Sequence, residues 1–229
     1  MSRWIDETGG SRGPSYEKAF RDLSEKGVDV HGEADAVARL LAGLGRPSPV
    51  VLDAGCGTGR VARELARRAV AVVGVDSDTS MLDVARAEAP ELLWLPADLA
   101  ELELPERFDL VVMAGNVVVF LVPGTEAEVV RRCAGHLQPG GLLVSGWRTD
   151  RMSRDEYDRH TAAAGLEQVA RWSTWDGEPW RDDADWCVAV DRAGGTAVDR
   201  AGGTAVDRAG RTAVDRAAET AVDRAGPPT

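Results

Sequence analysis

The stretch that decides the fold spans residues 50–60. It reads Val50-Val51-Leu52-Asp53-Ala54-Gly55-Cys56-Gly57-Thr58-Gly59-Arg60. An apolar run ends in an acid, three glycines follow at alternate positions, and residues 61–68 then have a composition that favours a helix. Glycine is needed where the main chain turns sharply and a ligand approaches it closely. The stretch therefore predicts a buried strand, a tight turn and a helix N-terminus that together form a ligand-binding loop.

A second acid stands where it can act on the same ligand. The apolar run at 70–75 predicts the next strand, and Asp76 follows it, 21 positions after Gly55. In doubly wound α/β folds an acid at the end of the second strand binds the hydroxyls of a ribose. The dinucleotide fingerprint Gly-x-Gly-x-x-Gly would need glycine where this chain has Arg60, and Asp53 beside the loop is unfavourable for a pyrophosphate.

The glycine loop and these two acids resemble motif I of the class I methyltransferases that use S-adenosylmethionine (SAM). The resemblance implies a Rossmann-like, doubly wound α/β sheet of seven strands with a closing antiparallel hairpin, helices on both faces and an N-terminal helical cap. It also implies that the loop passes under the amino-acid part of SAM and that Asp76 holds the ribose. SAM has no phosphate and carries a sulfonium and an ammonium, which agrees with an acid at Asp53.

Two further strand ends agree with the resemblance. Asp98 and Leu99 follow the third predicted strand, where the family binds the adenine. Ala114 and Asn116 follow the fourth, which implies positions beside the methionine part of SAM and the reaction cleft. The residues expected around the cofactor are Asp53, Gly55, Cys56, Gly57, Gly59, Asp76, Ser77, Asp98, Leu99, Ala114 and Asn116.

Candidate acceptor-binding residues precede the first strand. Two helices predicted there correspond to the cap that small-molecule methyltransferases place over the cofactor. Tyr16, Phe20 and His31 are the candidates in this segment. The alternatives are that the two aromatic rings pack against the domain and that His31 only begins a helix.

Other candidates follow the fifth predicted strand. Trp147 and Arg148 stand at its carboxyl end, where α/β sheets bind ligands, although Arg148 also suits an exposed loop. The closing hairpin is rich in tryptophan, which predicts either an acceptor wall or packing in the core and at the sheet edge. Its tryptophans are Trp172, Trp175, Trp180 and Trp186.

Catalysis by this class needs few dedicated groups. The methyl group of SAM is already activated, so the enzyme aligns the acceptor, excludes water and removes a proton if the acceptor is a hydroxyl. His31, Asn116, His160 and Asp150 are candidates for a catalytic role, and the sequence assigns it to none of them. The Asn- or Asp-Pro-Pro-aromatic signature of enzymes that methylate the exocyclic amines of bases is absent after the fourth strand.

Composition limits the partners of the chain. Its 229 residues include 27 Lys and Arg against 38 Asp and Glu, a net charge of −11, and the segment 191–229 is itself neutral. An acidic body argues against a nucleic-acid partner, which would need clustered cations. Three isolated cysteines predict neither a disulfide framework nor a metal site. The absence of a leader or of a long apolar run predicts a cytoplasmic protein with no membrane partner.

Three segments are predicted. Residues 1–46 form a helical cap or lid whose first 14 residues are expected to be flexible, 47–192 form the SAM-binding domain, and the eight-residue repeats of 193–229 form a disordered tail. The predicted function is SAM-dependent methyl transfer to an oxygen or nitrogen of a small-molecule acceptor. Alternatives are a protein or RNA methyltransferase of the same fold, a SAM-binding protein without catalysis, and a nucleotide-sugar or nicotinamide enzyme, which Arg60 disfavours. The acceptor and the oligomeric state are not predicted.

Overall fold

A sheet of seven strands forms the centre of the molecule, in a computed structural model that describes residues 2–194. The strands are β1 (Val50–Ala54), β2 (Ala71–Asp76), β3 (Leu93–Pro96), β4 (Phe108–Met113), β5 (Leu137–Arg148), β6 (Leu166–Trp172) and β7 (Trp186–Ala193). The helices are α1 (Arg3–Thr8), α2 (Gly13–Glu25), α3 (Gly32–Leu44), α4 (Arg60–Arg67), α5 (Thr79–Glu88), α6 (Glu126–Gly135) and α7 (Arg154–Ala163). The predicted tail falls, from residue 195 onward, outside the described residues.

The strand order is β3-β2-β1-β4-β5-β7-β6. Strands β1 to β5 pair in parallel, and β7 lies antiparallel between β5 and β6. The predicted doubly wound sheet with a closing antiparallel hairpin is therefore confirmed. The chain reverses its direction of travel across the sheet between β1 and β4, and ligands bind outside the carboxyl ends of the strands at such a point.

Alternate residues of the central strands face two different helix layers, as the period of a strand requires. In β1, Val51 belongs to the apolar cluster that includes residues of α3, α4 and α5. Leu52 belongs to the cluster on the other face, which includes residues of α6 and α7. Burial on both faces explains why the parallel strands read as continuous apolar runs in the sequence.

Within the described residues three helices precede β1, where the sequence predicted two. The additional helix is α1, in the segment that was expected to be flexible. Ser2 caps its N-terminus, with Oγ accepting from the N–H of Ile5 at 3.4 Å, and Gly9 ends it in the left-handed conformation. The indole of Trp4 donates to Asp78 Oδ2 at 2.9 Å, so α1 is held against the loop that follows β2. A six-residue helix is too short to show a periodicity, and its tertiary contact decides its conformation.

The three cysteines of the described chain are buried free thiols. Burial raises the pKa of Cys133 and of Cys187 to about 12, so both thiols stay protonated at neutral pH. Between residues 2 and 194 there is no group of metal-ligating side chains that could hold an ion. In the same part of the chain, no helix combines the length and the apolar character needed to cross a bilayer.

Candidate active site

A cavity of about 350 Å³, here called the main cavity, lies at the carboxyl ends of the central strands. The loops after β1, β2, β3 and β4 form one side of it, and α1, α2 and α3 form the other. The sheet side contributes Gly55, Gly57, Asp76, Ser77, Asp98, Leu99, Gly115, Asn116 and Val117. The helical side contributes Ser2, Trp4, Tyr16, Phe20 and Glu33. The predicted cap residues Tyr16 and Phe20 thus share one cavity with most of the predicted cofactor residues.

A second cavity of about 50 Å³, here called the side cavity, adjoins the main cavity. The two share the residues Tyr16, Gly55, Gly57, Arg60 and Gly115. The sequence predicted cofactor contacts for Asp53, Cys56 and Ala114, and these residues line the side cavity and not the main one. Burial raises the pKa of Cys56 well above its usual value, so its thiol stays protonated at neutral pH.

The glycine loop is held by hydrogen bonds to the neighbouring strand. The N–H groups of Gly55 and Cys56 both donate to the carbonyl of Val75, at 2.7 and 2.9 Å. Gly57 has φ of +56°, and no atom lies within 4 Å of the position that a Cβ would take there. The main chain at Gly57 is therefore open to the cavity and can contact a ligand directly.

Gly59 has a structural role and does not line either cavity. Its φ of +77° places it in the left-handed region, and a Cβ there would lie 2.3 Å from Cη2 of Trp94. The predicted cofactor contact of Gly59 stays a prediction, and the constraint that the structure shows at this position is packing. Glycine permits both the turn into α4 and the close approach of the Trp94 ring.

Asp53, at the end of β1, lies beneath the loop. Its side chain accepts a hydrogen bond from the N–H of Ala62 at 3.1 Å, so it stabilises the first turn of α4, and the residue is 1% exposed. Burial raises the pKa of Asp53 to about 7, although the Ala62 hydrogen bond and the charge of Arg60 act in the opposite direction. A carboxylate in this position is stabilised by a cation that binds in the adjoining cavity.

Asp76 lines the main cavity beside the glycine loop. One carboxylate oxygen accepts from the N–H of Gly57 and the other from the N–H of Asp78, both at 2.8 Å. Burial raises the pKa of Asp76, and the two main-chain donors act against that rise. Each oxygen of an ionised carboxylate can accept a second hydrogen bond, so Asp76 can still bind two ligand hydroxyls.

Asp98 and Leu99 lie at the next strand end, on the main cavity. The carboxylate of Asp98 accepts from the N–H of Ala100 at 2.9 Å through Oδ1. Oδ2 of Asp98 accepts no hydrogen bond from residues 2–194 and is available to a donor in the cavity. An amino group of a ligand base is such a donor.

Asn116 has a fixed side-chain orientation. Its φ is +71°, and its Oδ1 accepts from the N–H of Arg148 at 2.8 Å. Because the carbonyl oxygen holds that contact, the NH₂ group of the amide is the end that remains for a ligand. No group in the described chain accepts from this NH₂, and Asn116 lines the main cavity.

Aromatic rings cover the helical side of the main cavity. The ring of Trp4 makes edge-on contacts with Tyr16 and Phe120, at centroid distances of 5.9 and 5.3 Å, and Phe20 lies 4.9 Å from Tyr16. The Tyr16 hydroxyl makes no hydrogen bond to any residue of the described chain, and it lies 3.9 Å from the Cβ position of Gly115. Burial raises the pKa of Tyr16, with Arg60 opposing, so this hydroxyl is neutral at pH 7.

Arg60 and Glu33 form an ion pair that joins the cap to the glycine loop. The two guanidinium nitrogens of Arg60 donate to the two oxygens of Glu33 at 2.5 and 2.8 Å, and the side chains are 11% and 15% exposed. Arg60 also donates to the carbonyl of Val30 and lies 4.5 Å from the centre of the Phe20 ring. Burial lowers the pKa of Arg60, but the bond to Glu33 outweighs it and the net effect is a raised pKa. Sequence reasoning used Arg60 only to exclude a dinucleotide, and it missed Glu33.

Besides Gly59, five predicted residues lie outside both cavities: His31, Trp147, Arg148, Asp150 and His160. His31 immediately precedes α3, and its Nδ1 lies 3.9 Å from Glu64 Oε2, which agrees with the alternative that it begins a helix. His160 lies in the last turn of α7, the helix that packs on α6 and β6. Trp147 is fully buried and donates to the carbonyl of Met152. The side chain of Arg148 is exposed and lies 3.7 Å from Asp150 and Asp185.

Trp147 was assigned to the cleft because it stands at the end of a central strand. The side chains of a strand alternate between faces, so strand position alone does not decide which residue reaches the cleft. Trp147 faces α7 and packs on Tyr157, with ring centroids 4.4 Å apart. Of the four hairpin tryptophans, Trp186 alone is among the residues that line the main cavity within the described chain.

The fold and the cavity together define a Rossmann-like protein with a ligand-binding cavity at the carboxyl ends of its central strands. Residues 51–141 match a family model described as a methyltransferase domain. The chain is also similar to the crystal structure of a TehB-like SAM-dependent methyltransferase from Corynebacterium glutamicum, with 30% identity and a TM-score of 0.73 over 79% of this chain and 97% of that one. The chain therefore belongs to the family of SAM-dependent methyltransferases.

Two curated relatives act on small molecules, according to their names. One is a dTDP-3-amino-3,6-dideoxy-α-D-glucopyranose N,N-dimethyltransferase from Streptomyces fradiae, 29% identical over 72% of this chain and 66% of that one. The other is a ubiquinone biosynthesis O-methyltransferase from Bradyrhizobium diazoefficiens, 32% identical over 53% of this chain and 47% of that one. The matches span between about half and two thirds of the length of these relatives.

Proposed function

We propose that this protein is an enzyme that transfers the methyl group of SAM to an oxygen or nitrogen atom of a small-molecule acceptor. The observation that carries the proposal is the main cavity itself. It joins a glycine loop and a strand-end carboxylate on one side to an aromatic wall on the other. A ligand held by the loop therefore has a second, apolar molecule as a possible neighbour in the same cavity.

The residues present fit SAM. Gly57 leaves open space above the loop, Asp76 keeps acceptor capacity for the ribose, and Asp98 has a free oxygen for the amino group of the adenine. Asp53 forms no ion pair with a cation of residues 2–194 and lies beneath the side cavity, toward which the amino-acid end of SAM would extend. When bound, SAM supplies a methyl group on a positively charged sulfur.

The cap excludes water and orients the acceptor. Three contacts attach it to the cofactor side: Trp4 with Asp78 at 2.9 Å, Glu17 with Arg63 at 2.8 Å, and the pair of Glu33 with Arg60. They use α1, α2 and α3 in turn, so each cap helix has its own attachment. We assign residues 1–46 the role of a cap over the reaction site, which makes methyl transfer effective by holding the reactants in position.

No side chain of the cavity is assigned as a general base. Glu33 is paired with Arg60, and the Tyr16 hydroxyl has a raised pKa and keeps its proton. These residues fit an acceptor whose nucleophilic atom is neutral before transfer and loses its proton to solvent when the methylated product leaves the cavity. Tyr16 and Asn116 are then orienting groups, which offer hydrogen bonds to the acceptor.

Titration calorimetry with three ligands tests the donor. SAM and S-adenosylhomocysteine (SAH) should bind, whereas NAD should not, because the loop has Arg60 in place of the third glycine of the dinucleotide fingerprint. Incubation with SAM and a metabolite panel, followed by mass spectrometry, tests the transfer through the gain of one methyl group. NAD binding would contradict the donor assignment. SAM binding with methylation only of a protein or RNA, or with no methylation, would favour one of the alternative functions.

A further inference from the structure

The charges on the wall of the main cavity are predominantly negative. Glu33, Asp76 and Asp98 line it, against one cation of the described chain, Arg60. Both terminal nitrogens of Arg60 already bond the carboxylate of Glu33. A phosphate group needs cationic or main-chain donors that are free to bind it. The wall supplies no free cation from residues 2–194 and several carboxylates that would repel a phosphate.

Three other arginines lie near residues of the cavity wall and already have partners. One of them, Arg151, lies 5.6 Å from the centre of the Phe120 ring. Arg3 donates to the carbonyl of Val119, Arg151 pairs with Glu7 at 3.1 Å, and Arg148 lies between Asp150 and Asp185. None of the three lines the main cavity. The part of the chain that the structure describes therefore presents no unpaired cation on the wall of the main cavity.

The acceptor side of the cavity offers apolar surface. Trp4, Tyr16 and Phe120 present rings, and Val117 and Val122 add aliphatic groups. Two polar groups interrupt this surface, the NH₂ of Asn116 and the hydroxyl of Tyr16, and neither has a partner within residues 2–194. An apolar wall with a few placed polar groups binds ligands by shape and orients them by hydrogen bonds.

We propose that the acceptor is an uncharged small molecule with an apolar or aromatic face and at least one hydrogen-bonding oxygen or nitrogen, and that it carries no phosphate. This inference rests on the proposed function, whose donor shares the cavity. It separates this chain from the Streptomyces fradiae relative, whose name includes a dTDP-sugar substrate. The cavity volume of about 350 Å³ lies at the lower end of the usual range of roughly 300–1,000 Å³ for ligand sites. Because donor and acceptor must share this volume, it agrees with a small acceptor.

The test compares matched probes on the protein saturated with SAH, by titration calorimetry at pH 7.5. The probes are 4-methylphenol, which is uncharged at this pH, its phosphate ester 4-methylphenyl phosphate, and dTDP. We expect 4-methylphenol to bind at least about tenfold more tightly than its phosphate ester, and dTDP not to bind at the acceptor side. The reason is that the acceptor side offers apolar rings, and residues 2–194 supply no unpaired cation on the cavity wall for a phosphate. Equal or tighter binding of either phosphate compound would overturn the inference.

Variants identify the place of binding. Phe120→Ala should weaken the binding of 4-methylphenol by about tenfold and leave the affinity for SAH within twofold. Leu23→Ala, on an exposed part of α2, should change neither affinity. Val122→Lys adds a cation to the wall and should raise the affinity for 4-methylphenyl phosphate. If 4-methylphenol binding is insensitive to Phe120→Ala, or if it does not bind, the inference is wrong. Failure of SAH to bind would overturn the proposed function as well, so the two failures are distinguishable.

Discussion

The carboxylate of Asp76 accepts a hydrogen bond from the main-chain N–H of Gly57 at 2.8 Å. This contact joins the glycine loop after β1 to the acid at the end of β2, two motifs that lie 19 residues apart in the chain. The acid is therefore positioned before any ligand arrives, and the ligand does not have to order it. Preorganisation of this kind lowers the cost of binding.

Replacement of Asp76 by alanine should weaken the binding of SAM. The change removes the acceptor for the ribose hydroxyls, and hydrogen bonds to a charged group contribute about 1.5–3 kcal/mol. We expect a loss of about ten- to a hundredfold in affinity for SAM and SAH by calorimetry. Asp83→Ala serves as the control, because Asp83 is a 74% exposed residue of α5 that, among residues 2–194, pairs with Arg86 alone. Equal affinities of Asp76→Ala and the unmodified protein would contradict the assignment of the ribose site.

Two glycines of the loop should respond differently to alanine. Gly59→Ala places a methyl group 2.3 Å from the buried ring of Trp94 at a φ of +77°, so it combines overpacking with a left-handed conformation. We expect a loss of about 2–5 kcal/mol in the free energy of unfolding, measured with urea. Gly57→Ala meets open space and should cost only about 1–2 kcal/mol for its positive φ. A stability loss as large at Gly57 as at Gly59 would contradict the packing argument.

The parts of the site that the sequence predicts are local in the chain. The strand, turn and helix around Gly55 and the acid after β2 follow from patterns within short windows, and the structure places Gly55, Gly57, Asp76 and Asp98 on one cavity. The regular α/β alternation fixes which strand ends meet, so the sequence also predicts the sheet. Local pattern and fold agree here, which is typical of natural sequences.

The parts that the sequence missed depend on contacts between distant segments. Glu33 acts on the site only because Arg60 reaches it across 27 positions, and Trp4 reaches Asp78 across 74. Phe120 lies in a connection with no periodicity, and only the tertiary structure shows that its ring meets Trp4. No short pattern encodes such pairs.

The cap prediction can be tested through Trp4. Trp4→Ala removes the hydrogen bond to Asp78 and the ring that covers the cavity between Tyr16 and Phe120. We expect turnover to fall by at least about tenfold while the affinity for SAH changes little, because the cofactor contacts lie on the opposite wall. Trp4→Phe keeps a ring without the indole N–H and should show a smaller loss. Normal turnover by Trp4→Ala would show that α1 is not needed to close the site.

The affinity for SAM should depend on pH through Asp53. With a pKa of about 7 in the free protein, Asp53 is partly protonated at neutral pH. A bound cation favours the carboxylate, so binding releases a proton and affinity rises as the pH increases toward and through 7. Below that pKa the affinity for SAM decreases by up to about tenfold for each pH unit.

Titration calorimetry of SAM at pH 5.5 and pH 7.5 checks the role of Asp53. Asp53→Asn cannot gain the charge, so its affinity at pH 7.5 should be lower and its pH dependence shallower than those of the unmodified protein. Asp76 also has a raised pKa and stays in both proteins, which accounts for the slope that remains. The same slope in both proteins would assign the pH dependence to other groups.

A second buried carboxylate, Asp191 of β7, lies away from the site and should make the stability of the fold depend on pH. Arg171 of β6 donates to it at 2.8 Å, the two side chains are 1% and 4% exposed, and Arg171 also bonds Asp158. Burial raises the pKa of Asp191 to about 6, although Arg171 acts against the rise. The folded protein thus binds this proton more tightly than the unfolded chain, so the contribution of Asp191 to stability decreases as the pH rises from about 4 to 6.

Arg171→Met removes the cation and leaves the carboxylate of Asp191 buried without its partner. Breaking a buried ion pair in this way lowers the free energy of unfolding by about 3–5 kcal/mol. Without Arg171 the pKa of Asp191 rises further, so at low pH protonation of Asp191 removes the unpaired buried charge. The decrease in melting temperature relative to the unmodified protein should therefore be large at pH 8 and smaller at pH 5.5. Arg159→Met, at an exposed position of α7, is the control and should show a small change at both pH values. A deficit of Arg171→Met that is the same at both pH values would mean that lost packing, and not the unpaired charge, destabilises the variant.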